Sequence, residues 1–255
     1  MGFLDFLKKS LSTQAEKYDR EAVVRLLEEN TKTSAPLELR GIDMSGIDLS
    51  HLDLSGADFT ESDLENANLK GAQLRSVRIR RANLQNANLR GADLTGSDWA
   101  QSNMRGADLS DADLTGANMF ACKLEGARWN GATFNGTTLS GAAMPGVNLE
   151  GYVFTGRLDA VDAQMEGAIL RNADLEDAIL TGANLAEADL SGANLRGAQI
   201  ACTLRNANLT GADLTNANLR YGDATGANFT DATLEGADVE GLALEGATLP
   251  AGFEP

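Results

Sequence analysis

The residues able to do chemistry are few and scattered. His51 is the single histidine, and the two cysteines, Cys122 and Cys202, stand far apart with no C-x-x-C spacing. A nucleophile needs a base within hydrogen-bond reach, and a zinc site needs three or four clustered nitrogen or sulfur ligands. Neither pattern occurs. Carboxylates are abundant instead, and Asp43, Asp48, Asp53 and Asp58 recur at a step of five. Calcium needs six to eight oxygens converging on one point, whereas residues that recur with a repeat point around different sides of it. The glycines lack the strand, loop and helix context of a phosphate-binding loop. The chain is therefore expected to have no catalytic residues, no cofactor and no metal site, and not to be an enzyme.

Charge says more than reactivity. The formal net charge of −16 argues against direct nucleic-acid binding and favours a basic protein partner. Its distribution is uneven. Residues 36–65 and the last fifty or so are acidic, and between them lies a basic belt of Lys70, Arg75, Arg78, Arg80, Arg81, Arg90 and Arg105. Lys70, Arg75, Arg78, Arg80 and Arg81 are candidate partner-binding residues. Phe120 is another, because it is apolar at a position where the pattern points outward, and Arg157 is a third, in an irregular stretch. No apolar run is long enough for a membrane span, and no secretory leader is evident, so a cytoplasmic location is expected. "MGFLDF" has Phe6 where a myristoylation signal needs Ser or Thr.

The elements that position these residues follow from one rhythm. From Leu39 a large apolar residue recurs every fifth position, through Met44, Leu49, Leu54, Phe59 and Leu64 and onward to Phe154. A small residue usually stands two before it, Asp or Asn one before it, and Gly often two after it. On a helix, residues five apart would smear round the cylinder. On one long strand they would alternate faces. A short extended piece places the Ala and the Leu on the same side, and a turn then resets the direction. "A-D/N-L-x-G" thus reads as one side and one corner of a closed polygon with Ala and Leu inside.

The stretches "GADLTGSDW", "ANLRGADL", "ADLTNANLR" and "ADLSGANLRGAQI" resemble the pentapeptide-repeat motif, and the likeness runs from about Leu37 to Leu249. It implies an all-β solenoid, a right-handed quadrilateral parallel β-helix of four pentapeptides per coil. At the inter-strand distance of about 4.8 Å, some ten to eleven coils make a rod on the order of 50 Å long.

Three regions are expected: residues 1–35 as an N-terminal helical cap or arm, 36–250 as the β-helix, and 251–255 as a short tail. Phe3, Leu4, Leu7 and Leu11 form one helical stripe, while Thr13-x-x-Glu16 reads as a capping box opening a second helix with Tyr18, Ala22, Val23, Leu26 and Leu27 on one side. Two frame slips interrupt the rod. One residue is inserted near 155–164 and one is lost near 200–204, where Ile200 is followed by Leu204. The first is expected as a bulge near Gly156 to Asp162 with Ala160 as a weak inward residue, the second as a tightened corner near Ala201. Cys122 and Cys202 occupy the small-residue slot as buried hydrophobes, on one face but four coils apart.

The expected function is a non-enzymatic interaction scaffold presenting rigid faces to a protein partner. The alternative, drawn from the resemblance, is an acidic DNA mimic that binds a type II topoisomerase such as DNA gyrase and protects it against poisons. The basic belt and the short stretch after Leu249 depart from that pattern. The thinly covered C-terminal coil also suggests an end-to-end homodimer.

Overall fold

The structure is a computed structural model that describes residues 18–30, 35–154 and 156–254. Its ladder explains the rhythm. The residue before each inward Leu pairs in parallel with the residue 20 positions later, as in Asp48↔Asn68, Asn68↔Asn88 and Asn88↔Asp108. Twenty residues are four pentapeptides, so each coil has four sides. The inward residues form four columns, which begin at Leu39, Met44, Leu49 and Leu54 and define the first to fourth faces. Each face contributes one bridging residue per coil, and among the described residues none extends into a longer strand.

Coils are joined in both directions. Leu69 N–H donates to the Asn88 carbonyl at 2.8 Å, and Asn68 N–H donates back to the Ile47 carbonyl at 2.8 Å. The corner is a four-residue turn, closed where Ala57 N–H donates to the Leu54 carbonyl at 3.0 Å, with Gly56 at φ 72°. Left-handed φ at the third residue is the requirement of a type II turn, which is why the repeat favours Gly there. Non-glycine residues take it at a cost, Ser76 at φ 52° and Arg81 at φ 54° among them.

The Asp or Asn before each Leu has a role that spacing alone did not assign. Asp48 Oδ1 accepts from Ser50 N–H at 2.9 Å, stapling the corner, and from Asn68 Nδ2 at 3.1 Å, joining the next coil. Asn88 Nδ2 then donates to Asn68 Oδ1 at 3.2 Å, so a side-chain column runs outside the backbone ladder. Inside, Leu64, Ala67, Leu69 and Ala72 are buried. Where the small slot is polar, its side chain donates to a neighbouring carbonyl: Ser102 Oγ to Ile79 O at 2.5 Å and Thr137 Oγ1 to Leu114 O at 2.7 Å.

Both frame slips sit in corners. The bridge spacing is 21 at Thr138↔Asp159 and returns to 20 at Asp159↔Ile179. Leu158 and Ala160 are both buried, so Leu158 fills the small-residue slot and the extra residue falls between inward Phe154 and Leu158. Ala160 at 0% exposure is a full inward residue, not a weak one. The spacing is 19 at Asn184↔Thr203, where Ala201 alone separates inward Ile200 from inward Cys202. The ladder continues beyond each slip, through Asp159↔Ile179 and Thr203↔Asp223.

Helix α1 spans Arg20–Asn30. Its cap is Asp19, whose Oδ1 accepts from Ala22 N–H at 2.8 Å, three residues on. Helix α1 therefore opens at Arg20 rather than at Thr13; Thr13, Glu16 and the Phe3 to Leu11 stripe lie outside the described residues. Val23 and Leu26 are buried in the same apolar cluster as Leu39, Met44 and Leu49. Arg20 donates to the Asp48 and Ser50 carbonyls at 3.0 and 3.1 Å. At the other end Leu234, Val239, Leu244 and Leu249 are only partly buried.

If the corners demand left-handed backbone, Gly91→Ala destabilises although nothing lies within 4 Å of the added methyl. The expected cost is about 1–2 kcal/mol, read from urea unfolding. Gly71→Ala should cost more, because its methyl would come 2.6 Å from the His51 ring; equal stability of Gly91→Ala and wild type would contradict the account.

Candidate functional site

Among the described residues the exposed large apolar side chains are Phe120, Val153 and Tyr221, and two surface features are candidates for function. The first is an edge between the first and second faces. Arg80 and Phe120 both follow the inward residue of the first face, Ile79 and Met119, two coils apart, with Ala100 between them. Two coil steps are about 10 Å. Arg78 lies on the first face itself and Arg81 completes its corner, so the structure gathers Arg78, Arg80, Arg81 and Phe120 along one edge. Phe120 is 47% exposed. Lys70 and Arg75 stand at other corners, and exposed Arg157 lies in the inserted corner after the fourth face. These three are not part of the edge.

The belt is not a free positive surface. Arg78 Nε donates to Asp58 Oδ2 at 3.1 Å, Arg81 pairs with Glu61 at 2.9 Å, and Arg80 and Arg75 pair with Asp98 and Asp93. The pairs join neighbouring coils, which places the partners 18 to 20 residues apart. This compensation was invisible while the sequence was read as runs of charge. Lys70, Lys123 and Arg157 have no carboxylate at salt-bridge distance among the described residues.

The pairs differ in kind. Asp58 has a side chain only 2% exposed, and it also lies 3.5 Å from Arg40. Burial pushes its carboxyl up, but the hydrogen bonds from Thr60 and the Arg78 guanidinium outweigh it and hold the group below the usual carboxylate range. Arg78 therefore neutralises a buried charge. Glu61 and Arg81 are both more than half exposed, and such pairs are worth little. Farther along, burial likewise raises Asp108, but Arg128 and Ser110 bring it down to about 2.

The second feature is an opening in the ladder. On the third and fourth faces the bridges expected from Arg128 to Asn148 and from Thr133 to Val153 are absent among the described residues. The amides of Gly126, Trp129, Gly131, Phe134, Asn148 and Val153 lack the inter-coil partners that equivalent amides have elsewhere. The first and second faces stay joined through Thr138↔Asp159 and Lys123↔Ala143. Large side chains account for the opening. Trp129, Phe134 and Phe154 occupy Leu slots and Tyr152 an Ala slot, with ring centroids 5.3 Å apart for Trp129–Phe134 and 5.6 Å for Phe134–Tyr152. Overfilling a packed interior forces backbone shifts, here a separation of coils.

Trp99 shows that one Trp is tolerated. Its indole N–H reaches Ser97 Oγ in the preceding small slot, and its amide keeps the ladder bond to Asn118 at 2.8 Å. Trp129 has Ala127 in that slot, and its buried indole nitrogen has no partner. A cavity of about 190 Å³ opens beside it, lined by Ala127, Arg128, Trp129, Pro145, Val147 and Asn148. The sequence signal for this site is the set of aromatics Trp129, Phe134 and Phe154 in large slots with Tyr152 in a small one, and the rhythm, which counts Phe154 as a regular member, passes over it.

The remaining candidates for chemistry are bland. Burial pushes the thiols of Cys122 and Cys202 up to about 12, which leaves them protonated at neutral pH. They share the second face, separated by the steps Lys123↔Ala143, Ala143↔Gln164, Gln164↔Asn184 and Asn184↔Thr203. His51 is exposed in a corner at φ 60°. Among the described residues no group of three or more His, Cys, Asp or Glu side chains is arranged to hold a metal ion, and no helix is long and apolar enough to cross a membrane.

Four parallel columns, a 20-residue coil and type II corners define the chain as a quadrilateral β-helix, the right-handed solenoid of proteins built on this repeat. It belongs to the pentapeptide repeat family: the family described as "Pentapeptide repeats (8 copies)" matches residues 42–81, 82–119, 120–151, 161–197, 200–231 and 212–249. The breaks between matches at 151–161 and 197–200 fall at the two slips. Among solved structures the chain is similar to HetL of the cyanobacterium Nostoc sp. strain PCC 7120, a pentapeptide repeat protein involved in heterocyst differentiation regulation. Identity is 27% over 93% of this chain and 100% of that one, with a TM-score of 0.47. Similar too are QnrB1, a plasmid-mediated fluoroquinolone resistance protein (20% identity, 84% and 90% covered, TM-score 0.36), and Rfr23 of the cyanobacterium Cyanothece 51142 (20%, 89% and 99%, TM-score 0.21). No protein with a curated description matches the sequence.

The contrast between the two kinds of ion pair is measurable. Arg78→Ala removes the hydrogen-bonded guanidinium from the buried Asp58 carboxylate, which keeps only the Thr60 hydrogen bond and the more distant Arg40, and is expected to lower the thermal midpoint by several degrees, whereas Arg81→Ala leaves it nearly unchanged; equal midpoints for the two variants would contradict the assignment.

Proposed function

We propose that this protein is a non-enzymatic scaffold that presents the edge of Arg80, Arg81 and Phe120 to a protein partner. The observation that carries the reading is Phe120, 47% exposed at a corner where nothing in the repeat requires an apolar side chain. Arg80 and Arg81 lie in the same edge, on a backbone stiffened by the inter-coil ladder. The Arg81–Glu61 pair is more than half exposed on both sides and weak, so a partner's carboxylate can replace Glu61 at little cost, and an aromatic anchor beside Arg is a common centre of binding energy. Arg78 belongs to the fold in this reading, since it holds Asp58. Helix α1, within the expected cap or arm of residues 1–35, serves as a cap of the N-terminal coil, with residues 36–250 as the rod and 251–255 as a tail. The burial of Val23 and Leu26 with the first coil supports that division.

A second reading is an acidic mimic of duplex DNA that occupies the basic groove of a type II topoisomerase such as gyrase. It rests on the net charge of −16 and on the carboxylate and amide columns that run along the rod.

Capture from a lysate of the source organism, with bound proteins identified by mass spectrometry, separates the two. The edge reading expects a partner held by wild type and reduced at least tenfold by Arg80→Glu, Arg81→Glu and Phe120→Ser together, with thermal stability kept. Undiminished capture overturns it. Inhibition of gyrase supercoiling at equimolar protein, insensitive to those changes, would favour the mimic.

A further inference from the structure

The opened third face has the features of a peptide-binding slot. Between Gly126–Asn130 and Pro145–Asn148 the ladder leaves the amides of Gly126, Trp129 and Asn148 and the carbonyls of Ala127, Pro145 and Asn148 without the inter-coil partners found on every neighbouring coil. Donors and acceptors alternate along both lips, and the group that complements such an array is another main chain. A second, independent observation points inward. Trp129 is 3% exposed, it lines the cavity, and its buried indole N–H has no acceptor. The cavity of about 190 Å³ exceeds the roughly 150 Å³ of a void that accepts a benzene ring. Ala127, Pro145 and Val147 supply apolar walls for such a group.

Charge fixes one end. Glu125 stands at the corner where the third face begins, and while its Oε1 accepts from Arg105 at 2.6 Å, its buried Oε2 has no partner. A cation placed there is attracted to an incompletely satisfied carboxylate.

We infer that this slot binds an extended peptide of a protein partner, with a Lys or Arg toward Glu125 and an aromatic side chain two residues later in the cavity beside Trp129. Both lips run from the Glu125 corner toward Asn130, so a parallel segment enters with its basic residue first. The inference rests on the scaffold reading and adds to it a second contact, on a different face from Phe120.

The test uses the whole protein and two synthetic peptides, acetyl-Ala-Lys-Ala-Phe-Ala-Val-amide and the same peptide with Glu in place of Lys. Neither contains Trp, so emission reports the protein's own indoles, and Trp99 lies in a closed part of the ladder. The expected result is a saturable change in emission with the Lys peptide, at least fivefold weaker binding of the Glu peptide, and a similar loss for the Lys peptide with Glu125→Gln. Absence of saturable binding by the Lys peptide up to millimolar concentration overturns the proposal. So does equal binding of both peptides. Trp129→Phe, which keeps an aromatic filler, should abolish most of the emission change while leaving the fold intact by circular dichroism. Partner capture through the Phe120 edge is measured separately, so failure of the peptide leaves the scaffold reading standing.

Discussion

Everything in this molecule depends on the hydrogen-bond ladder between coils. A pentapeptide side is too short to be a strand on its own, and one bridge per side would be unstable in isolation. Stacking converts these single bridges into four columns, and near neighbours supply nearly all contacts. The ladder then imposes the other constraints. Corners must turn within two residues, which demands left-handed backbone at positions such as Gly91 and Ser76. The interior must be filled at constant cross-section, which pairs a small residue with a large one on most sides.

The same constraint explains how the rod absorbs irregularity. A residue added between Phe154 and Leu158 or removed at Ala201 changes a corner, and the bridges resume through Asp159↔Ile179 and Thr203↔Asp223. Excess volume inside is different. Trp129, Phe134, Tyr152 and Phe154 enlarge the section where the ladder cannot widen, and the coils part on two faces while the other two hold. Insertion and overpacking occur side by side, which concentrates departures from regularity in one segment of the rod.

Much of this was legible in the sequence because the repeat is so regular. The step of five with Ala two before Leu specified the inward faces, and the arithmetic from Phe154 to Met165 and from Ile200 to Leu204 located both slips. Cys122 and Cys202 read correctly as residues of the small slot. What escaped were relations between residues one coil apart. Arg78 and Asp58 are 20 positions distant, so a belt of cations was visible but its neutralisation was not. The Asp and Asn before each Leu appeared as a decoration of the motif until their side chains were seen to staple corners and join coils. The start of α1 was misplaced because the Thr13 pattern outshone Asp19, a single-residue cap. The open ladder was missed because each aromatic is acceptable in its own slot, and only their stacking is not.

The most direct test of the account is native-state hydrogen exchange of the unliganded protein, read amide by amide. Ladder amides in closed coils, such as Leu69, Leu89 and Leu190, should be strongly protected, and those of Trp129, Phe134, Asn148 and Val153 should exchange at least a hundredfold faster. Protection should rise again at once beyond both slips, at Ala160 and Leu204. Equal protection at Trp129 and Leu89 would show a closed ladder throughout and contradict the account.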